Sequence, residues 1–135
     1  MASLSPTQIL ERRRQLLLDH DTDGFVDLFA ADGVIEMPFA APGLPAKLSG
    51  QHAIREYARR TEAAPIRIDD LQNTAVYQTS DPEVVVVEQL SKVTVTSTGQ
   101  QVSTASIKVV RIRDGKIVLF RDYVSSQGLE ELLRD

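Results

Sequence analysis

The chain has no cysteine and no tryptophan, and aromatic residues fill only 5% of its 135 positions. Without cysteine there can be no disulfide, thiolate zinc site, iron–sulfur cluster or cysteine nucleophile. Reduced cytosol is therefore the expected location. No apolar run is long enough to span a bilayer, and no long apolar run follows a basic start as in a secretory signal, so no membrane is expected as a partner. Positive charge is also in short supply. Fifteen Lys and Arg stand against nineteen Asp and Glu, for a net charge of −4. That balance argues against a nucleic-acid partner held by phosphate neutralisation. The one basic cluster, Arg12-Arg13-Arg14, falls in a helical stretch where consecutive residues fan around the axis, and it reads as a solvated face. A glycine-rich phosphate loop and a nucleophile-elbow spacing are both missing, so no nucleotide cofactor and no elbow-type serine nucleophile is implied.

What remains is ample for one core. With 42% hydrophobic residues, a single domain over residues 1–135 can bury roughly two thirds of its unfolded surface. A first helix starts at Ser5 as N-cap, with Pro6 at the first helical position and Gln8 completing a capping box. Ile9, Leu10, Leu16 and Leu17 form its apolar stripe. After a break at His20 to Thr22, a second helix carries Phe25, Leu28 and Phe29 and is expected to end near Asp32-Gly33. Val34 to Phe39 reads as a strand, Ala41 to Leu48 as a proline-rich loop, and Ser49 as the cap of a third helix with Ala53, Ile54, Tyr57 and Ala58 inward, stopping before Pro65.

From Ile66 the period changes to two. Ile66 to Thr79, Val84 to Val95, Val102 to Arg113 and Lys116 to Ser125 read as four strands, with Thr98-Gly99 and Asp114-Gly115 as tight turns. Leu129, Leu132 and Leu133 suggest a closing helix. Helices followed by an antiparallel meander make an α+β domain, not a βαβ winding.

Two stretches carry a family likeness. "FAADGVIEMPFAAPGLPAKLSGQHAI" (Phe29 to Ile54) resembles the helix-end, strand, loop and helix-start of nuclear-transport-factor-2-like proteins. "DGKIVLFRDYVSSQGLEELL" (Asp114 to Leu133) resembles the end of limonene-epoxide-hydrolase-like enzymes, whose last strand reads Trp-Arg-Asp-Tyr where this chain has Phe120-Arg121-Asp122-Tyr123. The resemblance implies a cone-shaped, cystatin-like fold in which three helices and a curved mixed or antiparallel sheet enclose an apolar pocket. It also implies a SnoaL-like superfamily that includes ketosteroid isomerases, polyketide cyclases, epoxide hydrolases and domains with no chemistry. Fold by itself does not choose among these.

The resembled catalytic sets do not transfer whole. The final Asp of the epoxide-hydrolase chain falls on Asp122, but its Arg and other Asp fall on Gln89 and Ser91, and its Tyr and Asn on Val34 and Glu36. The catalytic Asp of the ketosteroid isomerases falls on Met37, their oxyanion-hole Tyr near Arg13, and their second Asp near Val109. If the resemblance fixes the inward side of the strands, Asp122, Gln89 and Ser91 project into the chamber, with Phe120 beside them. A carboxyl there without a cationic partner would have a raised pKa and could act as general acid or base. Glu36 or Met37 faces the pocket, depending on a one-residue register. Tyr57 offers a hydroxyl or is a core tyrosine, and Phe39 is among the phenylalanines that could fill the chamber.

"DHDTDGFVD" mimics a calcium loop, but its twelfth position is Ala30 in place of a bidentate Glu, and a helix connector explains it better. His20 and His52 are too separated to share a metal. The expectation is therefore a cofactor-independent, metal-free enzyme acting on a small apolar molecule with Asp122 as acid or base. The alternative is a non-catalytic ligand-binding or dimerisation module. The Val84 to Val87 strand, apolar on both faces, suggests a homodimer formed through the outer side of the sheet.

Overall fold

The computed structural model describes residues 4–124. Along the chain lie α1 (Pro6–Leu18), α2 (Thr22–Asp27), β1 (Phe29–Glu36), β2 (Lys47–Ser49), α3 (Gly50–Ala63), β3 (Ile66–Gln78), β4 (Val84–Val95), β5 (Gln100–Arg113) and β6 (Lys116–Tyr123). One curved six-stranded sheet runs in the order β2-β1-β6-β5-β4-β3. β1 and β6 are parallel neighbours, and every other pair is antiparallel. The three helices pack on the sheet, α1 against β3 and β4 and α3 against β1. This is the expected α+β cone. No described helix is long and apolar enough to cross a membrane.

Local chemistry accounts for the element ends. Ser5 Oγ accepts from the Gln8 amide at 3.3 Å while Gln8 Oε1 accepts from the Ser5 amide at 2.8 Å, so two of the donors a helix start leaves unpaired are satisfied. Asp114 and Gly115 both take positive φ, 52° and 75°, as the two-residue turn between β5 and β6 requires. Along β4 the alternation is plain, with Val85, Val87 and Gln89 buried on the concave face. Phe29, Val26, Val110 and Ile117 are wholly enclosed in the core under the helices. Each such side chain contributes about 1.5–3 kcal/mol of burial relative to an exposed position.

Several boundaries differ from the sequence expectation. The second helix stops at Asp27, and Phe29 to Gly33 belong to β1. Phe29 pairs with Ile117, and the Ile117 amide donates to Leu28 O at 2.8 Å, so tertiary pairing overrides a locally helical pattern. A Cβ on Gly33 would lie 2.9 Å from Ile117 O, which is why the strand passes β6 there with glycine. Lys47 and Leu48, expected at the end of the proline-rich loop, and Ser49, expected only as a helix cap, form β2 by pairing with β1, and three residues are too few to display a period. Ser49 holds the N-cap position of α3 without a side-chain bond. The closing helix expected around Leu129 to Leu133 lies outside the described residues.

Replacing Ser5 with Ala removes the α1 cap and is expected to lower unfolding free energy by about 1 kcal/mol, read as a lower midpoint in urea with an unchanged slope.

Candidate functional site

The concave sheet face is apolar except for a strip of polar groups set by strand register. Gln89 on β4 stands opposite Ser106 on β5. One row along, Lys108 on β5 lies between Val87 on β4 and Asp122 on β6. The next row, Val85, Val110 and Phe120, is wholly apolar and continues through Ile35 to Leu48. Paired residues on adjacent strands share a face, so Gln89, Ser106, Lys108 and Asp122, with Asn73 on β3 opposite Gln89, make a polar strip against an apolar wall.

Lys108 is the centre of the patch. Its Nζ donates to Asp122 Oδ1 at 2.8 Å and to Ser106 Oγ at 2.6 Å. The lysine side chain is 3% exposed and the aspartate 20%, so the carboxylate lies on the more open side of the pair. Burial pulls the Lys108 pKa below the usual lysine value; Asp122 opposes that fall, and the positive charge of Arg13 adds to it.

Arg13 enters the patch from α1. It lies three residues beyond Leu10 and three before Leu16, within the buried stripe of the helix. Its Nη1 donates to Gln89 Oε1 at 3.0 Å, and its guanidinium sits 4.5 Å from the centre of the Phe120 ring. A desolvated contact of that kind contributes on the order of 2 kcal/mol. Burial lowers the Arg13 pKa to about 10, with Asp122 acting in the opposite sense. Around this core, Phe25, Phe29 and Phe120 stack edge-to-face at 5.4 and 6.4 Å between centroids.

Several expectations need correction. The Asp122 carboxyl was expected to stand without a cation; Lys108 is bonded to it. Arg13 was expected on a solvated face, yet it is 9% exposed. Glu36 pairs with Arg121 in the ladder and lies 3.6 Å from it on the outer face, while Met37 packs against the core, which resolves the register between them. Phe39 is 62% exposed and stacks on Tyr123, away from the Lys108 patch. Ser91 is half-buried, and its hydroxyl donates to Thr104 O at 3.3 Å, a cross-strand bond away from the Lys108 pair. Tyr57 packs against the core. Gln89 and Phe120 are buried beside Arg13.

Lys108, Ser106 and Arg13 are the members of the patch that the sequence expectation missed. Period-two counting back from Ile112 and Val110 puts Lys108 and Ser106 inward. Arg13 fills the gap in a stripe that otherwise reads Ile9, Leu10, Leu16.

The calcium-like segment is a short turn after α1 running into α2 (Thr22–Asp27). Asp21 caps α2 by accepting from the Gly24 amide at 2.9 Å, and Asp23 pairs with Arg55 at 3.3 Å. No cluster of His, Asp and Glu suited to a metal occurs among the described residues. A cleft of about 260 Å³ opens between Ser5–Thr7 and Gln78–Val85, and neither Asp122 nor Lys108 lines it.

Known proteins share this architecture. The model of the SnoaL-like domain family matches residues 10–120. An uncharacterized PhzA/B-like protein of Pseudomonas aeruginosa is 33% identical over 121 residues, covering 89% of this chain and 84% of that protein. A crystal structure of an isomerase candidate from Bacillus subtilis superposes with a TM-score of 0.88 at 26% identity, covering 95% of this chain and 91% of that one. SalBIII, an epoxide hydrolase/cyclase-like enzyme of pyran ring formation in salinomycin, shares the fold with a TM-score of 0.72 at 19% identity, covering 90% and 91%.

A buried cation whose surroundings disfavour its charge destabilises the fold relative to an apolar side chain of similar length. Arg13→Met is therefore expected to leave unfolding free energy unchanged or raise it by about 1–3 kcal/mol. A loss of more than about 2 kcal/mol in urea unfolding would show instead that the bond to Gln89 and the Phe120 contact dominate.

Proposed function

This chain belongs to the SnoaL-like domain family, and from that premise we propose that its concave sheet face holds a small, largely apolar molecule and moves a proton on it without a cofactor, in the cytosol. The observation that carries the reading is the Lys108–Asp122 pair: a carboxylate at the open side of an apolar wall, with a buried ammonium at 2.8 Å. Perturbed titratable groups gathered on such a face are a physical mark of a working site. Asp122 takes a proton from carbon beside a carbonyl, and the negative charge that develops on the carbonyl oxygen is met by the Lys108 ammonium, itself oriented by Ser106. Returning the proton to a different carbon isomerises the substrate. Attack by the enolate carbon on a second carbonyl closes a ring, with the proton passing to the new alkoxide.

The second reading, a non-catalytic ligand-binding or dimerisation module, is favoured by a separate observation. Phe25, Phe29 and Phe120 pack together at the core, and the Asp122 carboxylate already has a partner. The two readings part in one experiment. With a panel of small enolisable ketones in D₂O, the wild-type chain is expected to speed exchange of the hydrogens beside the carbonyl. Asp122→Asn should cut that rate by roughly 10²–10⁴-fold with circular dichroism unchanged. Exchange that survives in Asp122→Asn removes Asp122 from catalysis. Ketones that raise the melting temperature without exchanging would establish the binding module instead.

We also propose that two copies associate through the outer face of the sheet. Val86 pairs with Tyr77 and Val109 there, and Ile107 pairs with Tyr123, placing apolar groups side by side. Tyr77 and Ile107 are 51% and 46% exposed in the single chain, more than an isolated domain needs to leave open. Light scattering is expected to give twice the chain's 14.9 kDa, and Ile107→Glu to return it to one chain's mass. A wild-type monomer at micromolar concentration overturns the association.

A further inference from the structure

Among the described residues, the polar patch is unbalanced. Facing one another are Arg13 from α1, Gln89 from β4, Ser106 and Lys108 from β5, and Asp122 from β6. Two of these are cations and one is an anion. Both cations are buried, Arg13 at 9% and Lys108 at 2% exposure, and a charge withdrawn from water needs an opposite charge close by. Asp122 is bonded to Lys108, which among the described residues leaves Arg13 with the neutral Gln89 oxygen as its hydrogen-bond acceptor.

The guanidinium itself indicates where the missing charge belongs. Its Nη1 is committed to Gln89, and one of its faces is covered by Phe120. Its Nε is buried and has no hydrogen-bond partner among the described residues. Buried N–H donors are satisfied in the great majority of folded proteins, so an orphan on a charged group needs an explanation. The Nε edge of a guanidinium is one that a planar carboxylate grips with two parallel hydrogen bonds.

We infer that the molecule held on the concave face is a small apolar acid, bound by its carboxylate to the Nε edge of Arg13. A monocarboxylate brings the patch to two cations and two anions, and gives Nε its acceptor. Phe120 and the apolar row of Val85 and Val110 then face the hydrocarbon part of the ligand. Phosphate fits less well, since a dianion would overshoot the balance and no glycine-rich cradle of amides is present. This inference rests on the reading of the concave face as a ligand site. It adds that the ligand arrives charged, anchored at Arg13, while Asp122, the more exposed member of its pair with Lys108, is left to the reacting end.

The test is titration calorimetry on the full chain at neutral pH, with matched probes differing only in charge. Cyclohexanecarboxylate is compared with cyclohexanecarboxamide, 2-naphthoate with 2-naphthamide, and inorganic phosphate serves as a generic anion. Each acid is expected to bind at least about tenfold tighter than its amide, in keeping with the strength of charge-assisted bidentate pairs. Arg13→Met should abolish the preference, and Arg13→Lys, which keeps the charge but loses the planar fork, should retain only part of it. The acid–amide comparison needs only the wild-type chain, so it decides the matter even if a variant does not fold. Equal binding of acid and amide overturns the inference, as does phosphate binding as tightly as the acids, or a preference that persists in Arg13→Met. Asp122-dependent exchange on neutral ketones with no binding of acids would leave the proton-transfer reading standing and remove this one. Acids bound through Arg13 with no exchange on any substrate would do the reverse.

Discussion

In the β5–β6 hairpin the ladder begins with Arg113 opposite Lys116 and Ile112 opposite Ile117, then slips so that Arg111 faces Leu119. The slip leaves Val118 as one extra residue in β6, a β-bulge. Every pair beyond it is displaced by one. Lys108 comes to face Asp122, whereas an unbroken ladder would have set Lys108 against Arg121, two like charges side by side. The bulge thus decides both the sign of the neighbour that Lys108 meets and the partner that Asp122 receives. It also aligns Phe120 with Val110, and so forms the wall on which Arg13 rests. The polar patch and the apolar surface behind it are two consequences of one local irregularity.

That patch works against the stability of the domain. Lys108 and Arg13 both hold their protons less firmly than they would in water, and burial is the main cause for each. Asp122 offsets part of the penalty for both cations, which is more than one carboxylate does well. An apolar side chain in place of either cation would avoid that desolvation penalty. The rest of the fold is conventional enough to bear the cost: a capped α1, a wholly enclosed Phe29 and Ile117, and a sheet whose central strands are paired along their lengths.

The two faces of the sheet divide the labour. Strand alternation sends Val85, Val87, Gln89, Ser106, Lys108 and Asp122 toward the helices, and Val86, Val109, Ile107 and Arg121 to the other side. Glu36 with Arg121, and Phe39 with Tyr123, belong to that outer side. Residues adjacent in sequence, such as Arg121 and Asp122, therefore act in different environments. The SnoaL-like fold is suited to this arrangement because its described helices, α1 to α3, lie on one face.

Much of the architecture was written in local pattern. The capping box at Ser5, the Asp114-Gly115 turn and the long period-two runs specify α1, the β5–β6 hairpin and the meander, since each depends on residues a few positions apart. The inward position of Gln89, Phe120 and Asp122 followed from alternation once one face was taken as buried. What only the tertiary structure decided depends on contacts between distant segments. Phe29 became a strand residue because Ile117 was there to pair with it. Glu36 turned outward because its register follows β6, and Arg13 turned inward because Phe120 and Gln89 wait 107 and 76 positions further on. The partnership of Lys108 with Asp122 needed a bulge that no periodicity announces. A one-residue slip changes which side chains meet, and its energy lies in packing across the whole sheet, beyond the reach of any local stretch of sequence.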